Sequence, residues 1–236
     1  MQFEGKKLRS EQKFYLHTFD WASLRLRAKS LLISDRNSIS EDGYHIRSLY
    51  FDDIHDNALF EKNYGVMNRK KYRIRIYNKS DHSIKLERKT KYNEFICKET
   101  APLSREEYDR IERGDVSFLR NRTEPLMQQF YYGITVHGLK PKVIVDYTRE
   151  AYTFPHGDVR VTFDKGLAAV FNTMNIFDRN AVPIHIFRDP REILEVKHTE
   201  FLPAFIRELL CFNGSLRTAI SKYSICREYM KHHHLM

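Results

Sequence analysis

The feature that most limits what this chain can fold into is a two-residue alternation in which ionised side chains take one parity and apolar ones the other. In Tyr72 to Tyr77, Arg73 and Arg75 share one side of an extended backbone, and Tyr72, Ile74 and Ile76 share the other. Lys85, Glu87 and Lys89 oppose Ile84 and Leu86 in the same way. Glu11 aligns with Lys13, and Glu195 and Lys197 face away from Leu194 and Val196. Arg160, Thr162 and Asp164 stand opposite Val159, Val161 and Phe163. One such strand fits the solvated outer face of a sandwich. That kind of face is usually mixed with Ser, Thr, Gln and Asn, whereas here five strands repeat Arg, Lys and Glu. The alternative is a closed antiparallel barrel, apolar outside under helices and charged within. Cations outnumber anions on the charged face, so its ligand should be polyanionic, with a few carboxylates to hold a divalent metal.

The rest of the chain supplies the covering helices. Leu8 to Leu16 reads as a strand, followed by a helix capped at Thr18 or Asp20 with Trp21, Leu24, Leu31 and Leu32 as its apolar stripe. A strand from Tyr44 ends at Asp52-Asp53, which opens a turn or short helix through Ala58 and Phe60. Asn78-Lys79-Ser80-Asp81 links two strands, and Phe95 to Thr100 makes a third. Ser104 and Glu107 form a capping box for a helix running toward Gly114, and a buried helix follows Pro125 from Leu126 to Val136. Strands return at Pro141 to Tyr152, Asp158 to Asp164 and Ile193 to His198. Helices close the chain at Pro203 to Leu210 and Ser221 to Met230, with a break at Asn213-Gly214. No repeat or low-complexity linker interrupts residues 1–236, so one α+β domain on a largely antiparallel sheet is expected.

Composition removes several classes. With 40 Lys and Arg against 31 Asp and Glu the chain carries a formal +9, yet it has neither GxxxxGK[ST] nor GxGxxG. Phosphate, if handled, must be handled by side chains. The three cysteines, Cys97, Cys211 and Cys226, show no CxxC spacing, which argues against a disulfide framework or structural zinc and for a reducing, cytoplasmic setting. No run reaches the ~20 apolar residues of a transmembrane helix, and the N-terminus lacks a signal-peptide core.

An ordered set of short matches then resembles one family. Glu11/Lys13, Ser48-Leu-Tyr-Phe-Asp52, Tyr72-Arg-Ile-Arg75, Leu86-Glu-Arg-Lys-Thr90, Tyr147-Thr-Arg-Glu-Ala151, Val159-Arg-Val-Thr-Phe-Asp164, Leu194-Glu-Val-Lys197 and Ile220-Ser-Lys-Tyr223 are similar to the VTC (vacuolar transporter chaperone) domain. That domain is one of the triphosphate tunnel metalloenzymes, to which the CYTH proteins also belong. The resemblance implies an eight-stranded antiparallel tunnel barrel with flanking helices. It also implies an ATP-dependent polyphosphate polymerase acting on ATP and inorganic polyphosphate. The catalytic cations it implies are Arg73, Arg75, Lys89, Arg149, Lys197 and Lys222, with Lys13, Lys98 and Arg160 also contacting substrate. Glu195 would hold Mn2+ or Mg2+, Ser221 and Tyr223 would add contacts, and Glu11 and Glu87 would pair with neighbouring cations or assist the metal. The membrane module and SPX domain of the eukaryotic polymerases are not in this sequence.

Other features have plainer readings. His232-His233-His234 reads as a solvated tail, Asp52/Asp53/Asp56 as turn or cap, and the many Tyr and Phe as core rather than nucleic-acid stacking. Three rivals stand beside the polymerase: a triphosphatase or cyclase using the same tunnel, a non-catalytic polyanion-binding module, and a nucleic-acid binder. The last is disfavoured because an internal tunnel admits linear phosphate chains and excludes duplex.

Overall fold

The computed structural model describes residues 2–3, 6–93, 95–211 and 217–235. The break expected at Asn213-Gly214 lies outside them.

The alternating segments form eight strands: β1 (Ser10–His17), β2 (Tyr44–Asp52), β3 (Asn68–Tyr77), β4 (Ser80–Tyr92), β5 (Phe95–Leu103), β6 (Lys140–Phe154), β7 (Val159–Val170) and β8 (Arg191–His198). They join antiparallel in the order β1-β8-β7-β6-β2-β3-β4-β5, with short strands Ile33–Ser34 and Pro183–His185 off this path. The β3–β4 hairpin turns through Asn78 and Lys79, both with positive φ (52° and 55°), as the tightest hairpin turns require. The ladder ends at β1 and β5. Those two edges meet at one antiparallel pair, where the N–H groups of Arg9 and Ile96 each donate to the other's carbonyl at 3.2 Å.

Helices cover the outward face in two groups. α1 (Thr18–Leu31) and α5 (Ala204–Leu209) pack on Leu16, Leu194, Val196, Val161 and Phe163. α2 (Asn57–Asn63) follows β2. α3 (Arg105–Glu112) and α4 (Pro125–His137) cover Leu49, Phe51, Ile74, Ile76, Ile84 and Leu86. The Ser104–Glu107 capping box is present as expected. α6 (Lys222–His232) behaves differently. Its Tyr223, Cys226 and Met230 pack with Ile46, Tyr50, Val143, Val145 and Ile193, residues of the inward parity. Part of the inner face is therefore apolar and filled by a helix.

Several local expectations are corrected. The cap of α1 is His17, whose Nδ1 accepts from the Phe19 N–H at 3.4 Å, because the chain leaves β1 in extended conformation one residue before Thr18. Its buried residues are Leu24 and Ala28, joined by Leu32 at the C-cap, while Leu31 is exposed: the chain turns extended at Leu32 and brings that side chain, not Leu31, onto the core. The outward face also holds charge: Arg47 makes a two-pronged pair with Asp146 (2.7 and 2.9 Å) and Arg88 pairs with Glu99 at 2.5 Å. Asp52 and Asp56 do serve as caps and anchors. The N–H groups of Ala58 and Leu59 donate to Asp52 (2.9 and 3.1 Å), and Asp56 binds Lys142, Arg227 and Lys231. His232, His233 and His234 lie at the exposed end of α6, His233 and His234 beyond its last turn, as a solvated tail should.

Phe130 is fully buried, edge-on to Phe51 with ring centroids 5.0 Å apart, and should carry much of the α4 contact. Phe130→Ala is expected to cost about 3–5 kcal/mol in urea unfolding. Phe19→Ala, at a position 82% exposed, should stay within about 0.5 kcal/mol, and comparable losses at the two sites would contradict this packing.

Candidate functional site

The inward parity of all eight strands lines one cavity of about 950 Å3, which residues 217–223 enter from the segment leading into α6. Lys13, Arg73, Arg75, Lys89, Lys98, Arg149, Arg160, Lys197, Lys222, Glu11, Glu195, Ser221 and Tyr223 all lie on its wall. Glu87 is buried behind Arg73 and Lys98. The register explains the convergence: Lys13 pairs with Glu195, Glu11 with Lys197, Arg160 with Lys197 and Arg73 with Glu87 across adjacent strands.

The carboxylates organise the cations into groups. Glu195 takes Lys222 (2.6 Å) and Lys13 (3.4 Å) on Oε1, and Lys197 (2.9 Å) and Arg149 (3.4 Å) on Oε2. Asp164 binds both prongs of Arg149 (2.6 and 2.7 Å) and Lys222 at 2.5 Å. Glu87 gathers Arg73 (2.6 Å), Lys98 (3.0 Å) and Arg75 (3.6 Å). Glu11 reaches Lys89 at 2.6 Å from β1 to β4, bridging the seam between the sheet's two edges, and lies 3.5 Å from Lys197. Burial works against ionisation of Glu195, but Lys13, Lys197, Lys222 and Arg149 overcome it and hold the carboxyl well below its usual range. At Glu87 burial is likewise outweighed, here by Arg75, Arg73 and Lys98.

Two lysines are pushed the other way. Burial, reinforced by Lys13 and Lys197 and opposed by Glu11, brings Lys89 down to about 7. Lys71 also lines the cavity; burial and the nearby charges of Arg69, Lys89, Lys13 and Lys62 hold it well below the ordinary lysine range. Its ammonium donates to the Ser221 hydroxyl at 2.9 Å and lies 4.9 Å from the Tyr223 ring centroid.

Some site residues escaped the sequence reading. Asp164 is on the charged parity but had no assigned role; its value lies in Arg149 and Lys222, partners no spacing reveals. Lys71 extends the Arg73/Arg75 parity by one step and was legible on that ground. Tyr44, Tyr50, Tyr77 and Tyr147 face the cavity and not the outer core. Tyr50 accepts from Arg73 at 2.8 Å, Tyr147 from Arg75 at 3.3 Å and Tyr44 from Arg160 at 3.0 Å, so each ring packs on apolar neighbours while its hydroxyl serves a cation. Lys85 shares the face of Glu87 yet lies over the Tyr77 ring, 5.4 Å from its centroid. Arg149 owes its position partly to Gly43: a Cβ there would stand 2.0 Å from the Arg149 carbonyl oxygen. The Tyr223 hydroxyl donates to Asp52 at 2.5 Å, anchoring α6 to the end of β2.

The divalent ion expected at Glu195 does not fit this donor set. Both oxygens of Glu195 already accept from cations, and among the described residues no group of three or more His, Cys, Asp or Glu side chains converges.

The VTC domain model matches residues 8–231, so the chain belongs to the VTC domain family. No match was found among curated protein sequences. Among solved structures, an adenylyl-cyclase-like protein of Hippeastrum, described as having a dominant triphosphatase activity, aligns with a TM-score of 0.54 at 10% identity. That alignment covers 94% of this chain and 95% of the other. An adenylate-cyclase-like protein of Bacillus halodurans aligns with a TM-score of 0.50 at 14% identity, covering 83% of each chain. At these identities the likeness is one of fold.

Because Lys89 sits near 7, a polyanion that binds it as ammonium must draw in a proton at higher pH, and its affinity falls as pH rises from about 7 toward 10. The contribution to stability has the opposite sign. Between about 7 and 10.5 the unfolded chain binds more protons at this residue, so its cost to the fold shrinks as pH rises. Tripolyphosphate titrations by calorimetry near about pH 8, in buffers of different protonation enthalpy, should show Lys89→Ala taking up fewer protons than wild type, by up to about one. Equal uptake would contradict the depressed amine.

Proposed function

We propose that this protein is an ATP-dependent polyphosphate polymerase that transfers the ATP γ-phosphate to a growing chain inside a basic tunnel. The observation that carries this reading is one cavity whose wall gathers cations from seven of the eight strands and from α6, in excess of the carboxylates beside them. We read the Arg9–Ile96 pair and the Lys89–Glu11 bridge as the closure that makes the curved sheet a tunnel. Membership in the VTC family supports the same assignment.

Phosphoryl transfer asks the protein mainly for positioning and charge stabilisation. Arg73, Arg75 and Arg149 offer planar forks to non-bridging oxygens, and Lys13, Lys89 and Lys197 act as point charges. Arg75 is well suited, since two of its partners are the hydroxyls of Ser48 (3.2 Å) and Tyr147 (3.3 Å), and Glu87 is a distant 3.6 Å. A terminal phosphate is anionic near neutral pH and attacks the γ-phosphorus in line without a general base, and ADP leaves. No covalent enzyme intermediate is formed.

A second reading, triphosphate hydrolysis, draws on the way α6 fills the apolar end of the inner face through Tyr223, Cys226 and Met230. A tunnel filled at one end suits a short substrate. The Hippeastrum protein's described triphosphatase activity belongs to this alternative.

Purified protein incubated with ATP and Mn2+ or Mg2+, the ions its superfamily usually uses, with and without a short polyphosphate primer, separates the readings. Long chains with stoichiometric ADP are the expected result. Arg75→Ala should lower turnover by ~10²–10³, as loss of a preorganised transition-state donor does. Free phosphate without chains would replace the polymerase by a hydrolase, and tight polyphosphate binding without turnover would leave a binding module.

A further inference from the structure

The least exposed of the paired cations on the cavity wall is the ammonium of Lys222. It stands 2.5 Å from Asp164 Oδ2 and 2.6 Å from Glu195 Oε1, and its side chain is 6% exposed. Asp164 and Glu195 come from neighbouring strands and converge on this one point. Two carboxylate oxygens around a buried cation at these distances are the start of an oxygen shell for a divalent ion. Here the centre of that shell is a lysine nitrogen. Lys222 is also held in place: it is the first residue of α6, Ser221 caps the helix by accepting from the Ser224 N–H at 3.3 Å, and Tyr223 is tied to Asp52. The other two oxygens, Asp164 Oδ1 and Glu195 Oε2, are taken by Arg149 (2.6 Å) and Lys197 (2.9 Å), and Lys13 shares Glu195 Oε1 with Lys222 at 3.4 Å.

We infer that Lys222 is a built-in counter-cation that denies the Asp164–Glu195 pair to divalent metal in the ligand-free protein. The pair is the only place in the tunnel where two carboxylates share one cation at such short distances among the described residues. A second cation arriving there would meet Lys222, Arg149, Lys13 and Lys197 at close range in a site shielded from solvent, where like charges repel strongly. A divalent ion therefore reaches this tunnel only with phosphate oxygens that supply the negative charge the protein has already spent on its own lysines. This holds for a polymerase, a hydrolase or a binding module alike, because it concerns the protein before any ligand enters.

Manganese binding, read from the loss of the free aquo-Mn2+ signal in electron paramagnetic resonance, tests the inference without measuring activity. Wild-type protein at equal concentration with Mn2+, without phosphate or nucleotide, should leave the signal nearly unchanged, and adding tripolyphosphate in equal amount should lower it beyond a protein-free control. Lys222→Met should bind about one Mn2+ per chain, at least about tenfold more tightly than wild type, since it exposes the two charged oxygen ligands. Adding Asp164→Asn to that variant should abolish the gain. Lys222→Gln serves if circular dichroism shows the Met variant unfolded. Stoichiometric Mn2+ binding by the ligand-free wild type overturns the inference by itself, whichever variant folds. A folded Lys222 variant that gains no Mn2+ overturns it as well.

Discussion

The sheet depends on a network of buried ions in which carboxylates are shared among more numerous cations. Taking a single Arg or Lys out of water costs on the order of several kcal/mol, recovered only when an opposite charge and hydrogen bonds replace the lost hydration. Glu195, Asp164, Glu87 and Glu11 supply that replacement. Glu195 serves four cations from β1, β6, β8 and α6, and Glu87 serves three from β3 and β5. Removing one carboxylate would strand several charges together, so the network is cooperative. Cations already assembled and partly neutralised are preorganised for phosphate oxygens, and the excess of positive charge remains to attract them.

The apolar side of the same strands makes the network possible. α1 and α5 on one flank, and α3 and α4 on the other, bury the outward parity, which forces the charged parity inward. A one-residue slip in any strand would exchange the two faces, so the hydrophobic cover and the ion network fix each other's register. α6 joins both systems. Its first turn contributes Lys222 to the ions, and its later turns fill the apolar remainder of the inner face.

Much of this was legible in the residues because the strand period is two and the charges obey it. Arg73 with Arg75, Glu11 with Lys13, and Glu195 with Lys197 declare a shared face without any tertiary information. Lys71 declared itself by the same rule and was passed over. Tyr44, Tyr50 and Tyr147 are core, as the sequence suggests, yet they also face the cavity: a phenol satisfies an apolar wall with its ring and a cation with its hydroxyl, so its parity alone does not say which surface it serves. Arg47–Asp146 and Arg88–Glu99 were likewise hidden, since a charge on the apolar parity is acceptable only when a neighbouring strand supplies its partner.

What the sequence by itself determined is the strand alternation, the helices that cover it and the surplus of cations on one face, because these are set by local periodicity and composition. Only the tertiary structure decided who holds whom. Lys89 meets Glu11 across 78 residues, and Lys222 reaches Glu195 from 27 residues away on a helix whose first turn lines the cavity. Such partners are brought within 3 Å by sheet curvature and helix placement, and those depend on packing over the whole chain. For the same reason only the structure shows Lys222 lying 2.6 Å from the Glu195 carboxylate.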